Sequence, residues 1–115
     1  MSPSLKRLHA FFYQTLAGSE PVRDWLLSLS PTDRKSIGSD IKDVEFAWPL
    51  GKPLVDSLGR GLWEVRSTIT DGIARVIFFV DGDQMVLLHG FVKKSQKTPT
   101  REIELALKRK KGITP

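Results

Sequence analysis

Cysteine is absent from this 115-residue chain, which excludes disulfides and thiolate metal sites. Histidine is scarce: His9 and His89 are the only two. They lie far apart and in no metal-binding spacing, so a structural or catalytic zinc is not expected. Tyrosine occurs once, as Tyr13. Long hydrophobic runs are missing as well. The longest, Ala74 to Val80, is broken by Arg75 and falls far short of the roughly 18 residues that span a bilayer. The segment Met1 to Arg7 lacks the apolar stretch of a signal peptide. These absences together predict a cytoplasmic protein with no membrane role, no metal and no cofactor.

What is present is ordinary in amount and uneven in sign. Hydrophobic residues make up 40% of the chain and charged residues 27%, the balance of a globular protein. Residues 1–115 are too few for two independent cores, so one domain is expected. The formal charge of +5 favours a polyanionic partner, but only the placement of the cations decides whether that partner is real.

Arg7 to Gln14 is rich in aromatics and reads as a first strand. Ser19 is placed to cap a short helix with Pro21 in its first turn. Val22, Trp25, Leu26 and Leu29 then recur at helical spacing. Ser30 restarts a second helix, with Asp33 set to complement its exposed N–H groups. Ile37, Ile41 and Val44 form the apolar stripe of that helix, which continues to Trp48 before Pro49 and Gly51 end it. Leu50 to Gly61 reads as a loop. Past it the period changes to two: Leu62 to Ile69, the turn Asp71-Gly72, Ile73 to Val80, the turn Asp81-Gly82-Asp83, and Gln84 to Val92. Thr98-Pro99 opens a last helix whose buried stripe is Ile103, Ala106 and Leu107. Lys108 to Lys111 at its end suits the helix dipole. The expectation is an α+β fold, an antiparallel meander with two helices packed on it and a third at the C-terminus.

Arg75 is the residue most in need of explanation. Set among apolar neighbours, it requires a carboxylate partner or a face open to an anion. Glu64 and Arg66 share a strand face through side-chain alternation, so Glu64–Arg75 and Glu64–Arg66 pairs are the structural alternatives. Lys93, Lys94 and Lys97 cluster where the last strand hands over to the last helix. With Arg66 and Arg75 they form a basic patch matched to a phosphate backbone. His89 is either a proton carrier or a strand residue bonded to a neighbour.

The strings Gly61-Leu62-Trp63-Glu64-Val65-Arg66, Arg75-Val76, and Leu87-Leu88-His89-Gly90-Phe91-Val92-Lys93-Lys94-Ser95-Gln96-Lys97-Thr98-Pro99, with Pro21 to Leu26 and Glu102 to Ala106, resemble phage-derived HigB-type toxins of the RelE/ParE superfamily. The resemblance runs from about Pro21 to Lys108. It implies a RelE-like sheet, metal-independent cleavage of translated mRNA at the ribosome, and a helix-turn-helix, HigA-like antitoxin as partner. It also implies catalytic roles for Arg66, Arg75 and Lys94, with Lys93 beside the last; Lys52, His89, Lys93 and Lys97 are the candidate RNA-binding residues. Two departures stand out. Related ribonucleases carry a tyrosine, or a histidine–aspartate set, near the last helix, whereas here Lys97, Thr98 and Pro99 occupy that region. Arg66 also stands where a lysine base is common, and guanidinium does not give up its proton at neutral pH. Two other readings therefore remain open: a non-enzymatic ParE-like gyrase inhibitor, and a prophage remnant that keeps only antitoxin binding.

Overall fold

In the computed structural model, residues 5–93 and 97–113 are described. The elements run β1 (His9–Phe12), α1 (Pro21–Ser28), α2 (Pro31–Ala47), β2 (Val55–Gly59), β3 (Leu62–Ile69), β4 (Gly72–Asp81), β5 (Gln84–Lys93) and α3 (Thr100–Ile113). The strands form one five-stranded sheet in the order β1-β5-β4-β3-β2. The fold is α+β with the RelE-like build, as the sequence implies.

Two expectations about the sheet need correction. It is mixed rather than antiparallel, because β1 pairs in parallel with β5 (His9 opposite Gln84, Phe12 opposite Leu87). Its anchor is Glu45 near the end of α2, whose main-chain carbonyl accepts from the amides of Arg7 and Leu8 and whose Oε2 accepts from the Ala10 amide at 2.8 Å. Lys6 Nζ closes on the other carboxylate oxygen at 3.2 Å. In addition, the segment read as a loop contains β2, which pairs with β3 so that Val55 faces Val65 and Asp56 faces Glu64. Pro53 and Gly51 mask this strand in the sequence, and of its residues only Val55 is buried.

The helices lie on both sides of the sheet. From α1, Val22 and Leu26 pack on one face, together with Ile37, Ile41 and Val44 from α2. Ala74, Val76 and Phe78 of β4 meet them there. Ile77 and Phe79 of the same strand point the other way, into a second cluster with Leu62, Leu88 and Ala106 of α3. Burial on both faces explains why the central strand reads as a nearly continuous apolar run. Trp48, just past α2, packs edge-on against Trp63 and Phe78 with ring centroids at 5.0 and 5.7 Å.

Ser30 caps α2 as expected, accepting from the Asp33 amide at 3.2 Å. The α1 cap is different: Glu20, not Ser19, holds that position and makes no side-chain cap bond, while Pro21 opens the helix. Ser19 instead closes the preceding loop through its amide on Thr15 Oγ1.

One irregularity decides where the later side chains point. Ile77 faces His89, yet its neighbour Phe78 faces Leu87, so Leu88 is an extra residue in β5. Such a bulge re-aims everything beyond it. It places His89, Phe91 and Lys93 on the α3 side and sets Gly90 against Trp25 of α1. A Cβ at Gly90 would overlap the Trp25 ring, so only glycine allows that helix its close approach.

Candidate nucleic-acid interface

Cross-strand register lays the chemistry-bearing residues out in rows on the face that α3 only partly covers. Arg66 of β3 lies opposite Arg75 of β4, which lies opposite Phe91 of β5. One row further along, Thr68, Ile73 and Lys93 line up; on the other side, Glu64, Ile77 and His89 do. Directly paired residues share a face, so Arg66, Arg75, His89 and Lys93 all project from the same side.

Arg75 and Glu64 form the buried centre, with relative exposures of 1% and 0%. Arg75 Nη1 donates to Thr98 Oγ1 at 2.8 Å and lies 3.6 Å from Glu64 Oε2. The Thr98 hydroxyl in turn donates to Glu64 Oε1. Arg66 Nε donates to Glu64 Oε2 at 2.9 Å, while its Nη2 lies 3.6 Å from Asp56 Oδ2. Lys52 Nζ stands 3.9 Å from the other Asp56 oxygen. Charges of alternating sign therefore run from the interior to solvent: Arg75, Glu64, Arg66, Asp56, Lys52. Both pairs foreseen for Glu64 exist at once.

The geometry separates the cations by accessibility. Arg75 lies behind Thr98 and Glu64. Arg66, with its side chain 26% exposed, is the arginine of this row that meets solvent. Lys93 is half-buried and Lys52 and Lys97 are exposed, the first two on separate sides of the Arg66 row. Lys94 lies outside the described residues. Half-buried Ile73 lies beside Lys93 in its row, while Phe91 is buried in the cluster under α3.

Past the Arg66 amide, which donates to the Leu54 carbonyl at 2.9 Å, β3 runs on without β2 beside it. A cleft of about 940 Å³ opens there, between Lys35, Ser36 and Ser39 of α2 and Arg66, Thr68 and Ile73 of the sheet. Its far end is held by Asp33, whose carboxylate accepts from the Thr70 amide at 3.1 Å and hydroxyl at 2.8 Å. Those bonds hold the Asp33 carboxyl below its ordinary pKa.

His89 is bonded to a neighbour: its Nε2 lies 3.2 Å from Glu102 Oε1 at the start of α3. Its ring stacks on Phe91, centroids 5.5 Å apart. Burial lowers its pKa, and the Glu102 carboxylate offsets only part of that effect, so the imidazole is largely neutral at pH 7. The unfolded chain then takes up the His89 proton at a higher pH than the folded protein does. Stability is expected to fall as pH drops below the ordinary histidine value of about 6.5. Urea unfolding across pH 5–8 tests this: His89→Gln should flatten that part of the profile, and an unchanged slope would contradict it.

Sequence reasoning passed over Asp56 and gave Thr98 and Glu102 no contact role, yet each touches a residue it had singled out. Asp56 was hidden in the supposed loop. Thr98 and Glu102 stood in the resembling strings, but nothing local says that they would meet Arg75 and His89. Among the described residues, no group of three His, Asp or Glu side chains converges as a metal site would require. No helix among them is long and apolar enough to cross a membrane.

A sheet of this order with two helices on one face and a third on the other is a RelE-like fold. The family of phage-derived Gp49-like proteins (DUF891) matches residues 24–111. The chain belongs to that family, a branch of the RelE/HigB-like toxins. Among curated proteins, none matches it.

Proposed function

We propose that this protein is the toxin of a type II toxin–antitoxin pair, of the HigB type, and that it cleaves translated mRNA on the ribosome in the cytoplasm without a metal. The observation that carries the reading is the open sheet face. There Arg66 and Lys93 stand with half-buried Ile73, beside the cleft of about 940 Å³ that Arg66, Thr68 and Ile73 line. Cations of this kind grip phosphates, and aromatic or apolar side chains support bases.

In this proposal Arg66 contacts the scissile phosphate and stabilises the charge that develops on it. Lys94, next in sequence after Lys93, is assigned a part in the same step. Lys52, Lys93 and Lys97 hold flanking phosphates. Arg75 serves by holding Glu64, and through it Arg66; direct contact with the phosphate would require Thr98 to leave. The ribose 2′-oxygen attacks phosphorus, its proton passes to a base, and the P–O5′ bond breaks as the leaving oxygen gains a proton. The products are a 2′,3′-cyclic phosphate and a 5′-hydroxyl. His89, neutral and oriented by Glu102, is the side chain on this face suited to move that proton. The partner that restrains the toxin is a helix-turn-helix antitoxin of the HigA type.

The test is the chemistry of the cut ends. Fragments of translated mRNA recovered after brief expression should carry a cyclic or 3′-phosphate on the upstream piece, and should resist ligation until it is removed. Upstream ends with a free 3′-hydroxyl would overturn the mechanism. A second reading, a non-enzymatic inhibitor of gyrase, draws support from the carboxylates that already engage Arg66 and Arg75. Pulse-labelling separates the two: translation stops first for the nuclease, DNA synthesis first for the gyrase inhibitor, and neither for a remnant that only binds antitoxin.

A further inference from the structure

The far end of α3 carries a second site, apart from the sheet face. A pocket of about 380 Å³ lies between the β2–β3 turn and the last turns of α3, lined by Arg60, Glu104, Leu107, Lys108 and Lys111. Its walls are almost wholly carbon, formed by Leu107 and the stems of the charged residues. Three cations and one carboxylate ring its mouth, and Arg60, Lys108 and Lys111 are all exposed.

The helix dipole accounts for lysines in the last turn of α3, but not for Arg60, which belongs to another element. Arg60 sits at φ +57° between Gly59 at +81° and Gly61 at +77°. A non-glycine residue in that left-handed region is held there against its own steric preference. Lys110 holds the turn in place, donating through Nζ to the Arg60 carbonyl at 3.1 Å; a Cβ on Gly61 would press on that same ammonium at 2.8 Å. The turn is thus fixed against the helix with the Arg60 side chain at the pocket's rim.

We propose that this pocket is a docking site for an acidic peptide segment that inserts one large apolar side chain beside Leu107. Charge complementarity names the class: the rim calls for carboxylates, and the carbon-walled interior calls for an apolar anchor. A nucleic-acid backbone would use the rim and leave the interior unfilled. This pairing of anchor and charged surround is the usual economy of a small interface. The proposal does not depend on the nuclease reading, since none of these residues lies on the sheet face.

The experiment uses the whole protein and a fluorescein-labelled peptide with leucines at i and i+4 in a Glu/Asp background. A second peptide has the leucines replaced by serine. Anisotropy should show the leucine peptide binding about 10-fold tighter than the serine peptide. The double variant Lys108→Glu, Lys111→Glu should weaken the leucine peptide by at least about 10-fold, each factor of ten being about 1.4 kcal/mol. Circular dichroism confirms that the variant is folded, and its cleavage or growth inhibition should match the parent. Equal binding of both peptides would overturn the proposal, as would leucine-peptide binding indifferent to the charge reversal. So would charge reversal that weakens an oligouridine probe but not the peptide.

Discussion

Replacing Arg75 by alanine is expected to destabilise the fold by about 3–5 kcal/mol, the usual consequence of removing one partner from a buried ion pair. A purely catalytic role for Arg75 would predict a variant that loses function with its fold intact; its burial predicts a loss of stability as well. Arg75 is 1% exposed and Glu64 is fully enclosed, so the substitution strands a carboxylate where water does not reach. Arg66 and Thr98 would still contact Glu64, which places the expected loss toward the lower end. The check is urea unfolding, with a lower midpoint at an unchanged slope. Replacing both members, Glu64→Leu with Arg75→Met, should recover most of the loss, because an apolar pair removes the stranded charge. An Arg75→Ala protein that unfolds at the parent's urea concentration would show that the pair does not hold the sheet. It follows that lost toxicity in Arg75→Ala would report folding as much as chemistry.

The parts of this fold legible in the sequence are those set by local pattern. Leu62–Ile69 alternates strictly enough, and Asp71-Gly72 turns sharply enough, that β3 and the start of β4 could be placed to within a residue. The Ser30 cap and the Ile37, Ile41, Val44 stripe were equally local. What escaped depends on distant partners. Nothing within His9–Phe12 says that it will lie parallel to β5; Glu45, more than thirty residues away, decides that. The strand Val55–Gly59 follows a proline and buries a single side chain, so its pattern is too short to rise above a loop. At the site, the need of Arg75 for a carboxylate was legible from polarity alone. That Thr98 would stand over it was not, because it depends on how the chain crosses from β5 to α3. The bulge at Leu88 was likewise invisible, and it is what brings His89, Phe91 and Lys93 to the same face as Arg66.

Under the proposed mechanism, Arg66 is the position at which fold and function come apart most cleanly. Arg66→Ala should lower the rate of mRNA cleavage by about 10²–10³-fold, the usual effect of losing a preorganised donor to a developing oxyanion. Its effect on stability should be small, about 1 kcal/mol or less, because the side chain is partly solvated and ion pairs of that kind contribute little. Glu64 keeps Arg75 and Thr98 as partners, and Asp56 keeps Lys52, so no buried carboxylate is stranded. Arg66→Lys retains the charge but loses the planar fork that spans two phosphate oxygens, and its rate should fall between the two. Primer extension on ribosome-bound mRNA measures all three proteins, with urea unfolding run in parallel. A folded Arg66→Ala protein that cleaves at the parent's rate would remove the sheet face as the catalytic site. If the lysine variant instead matched alanine, bidentate geometry rather than charge would be what the phosphate requires.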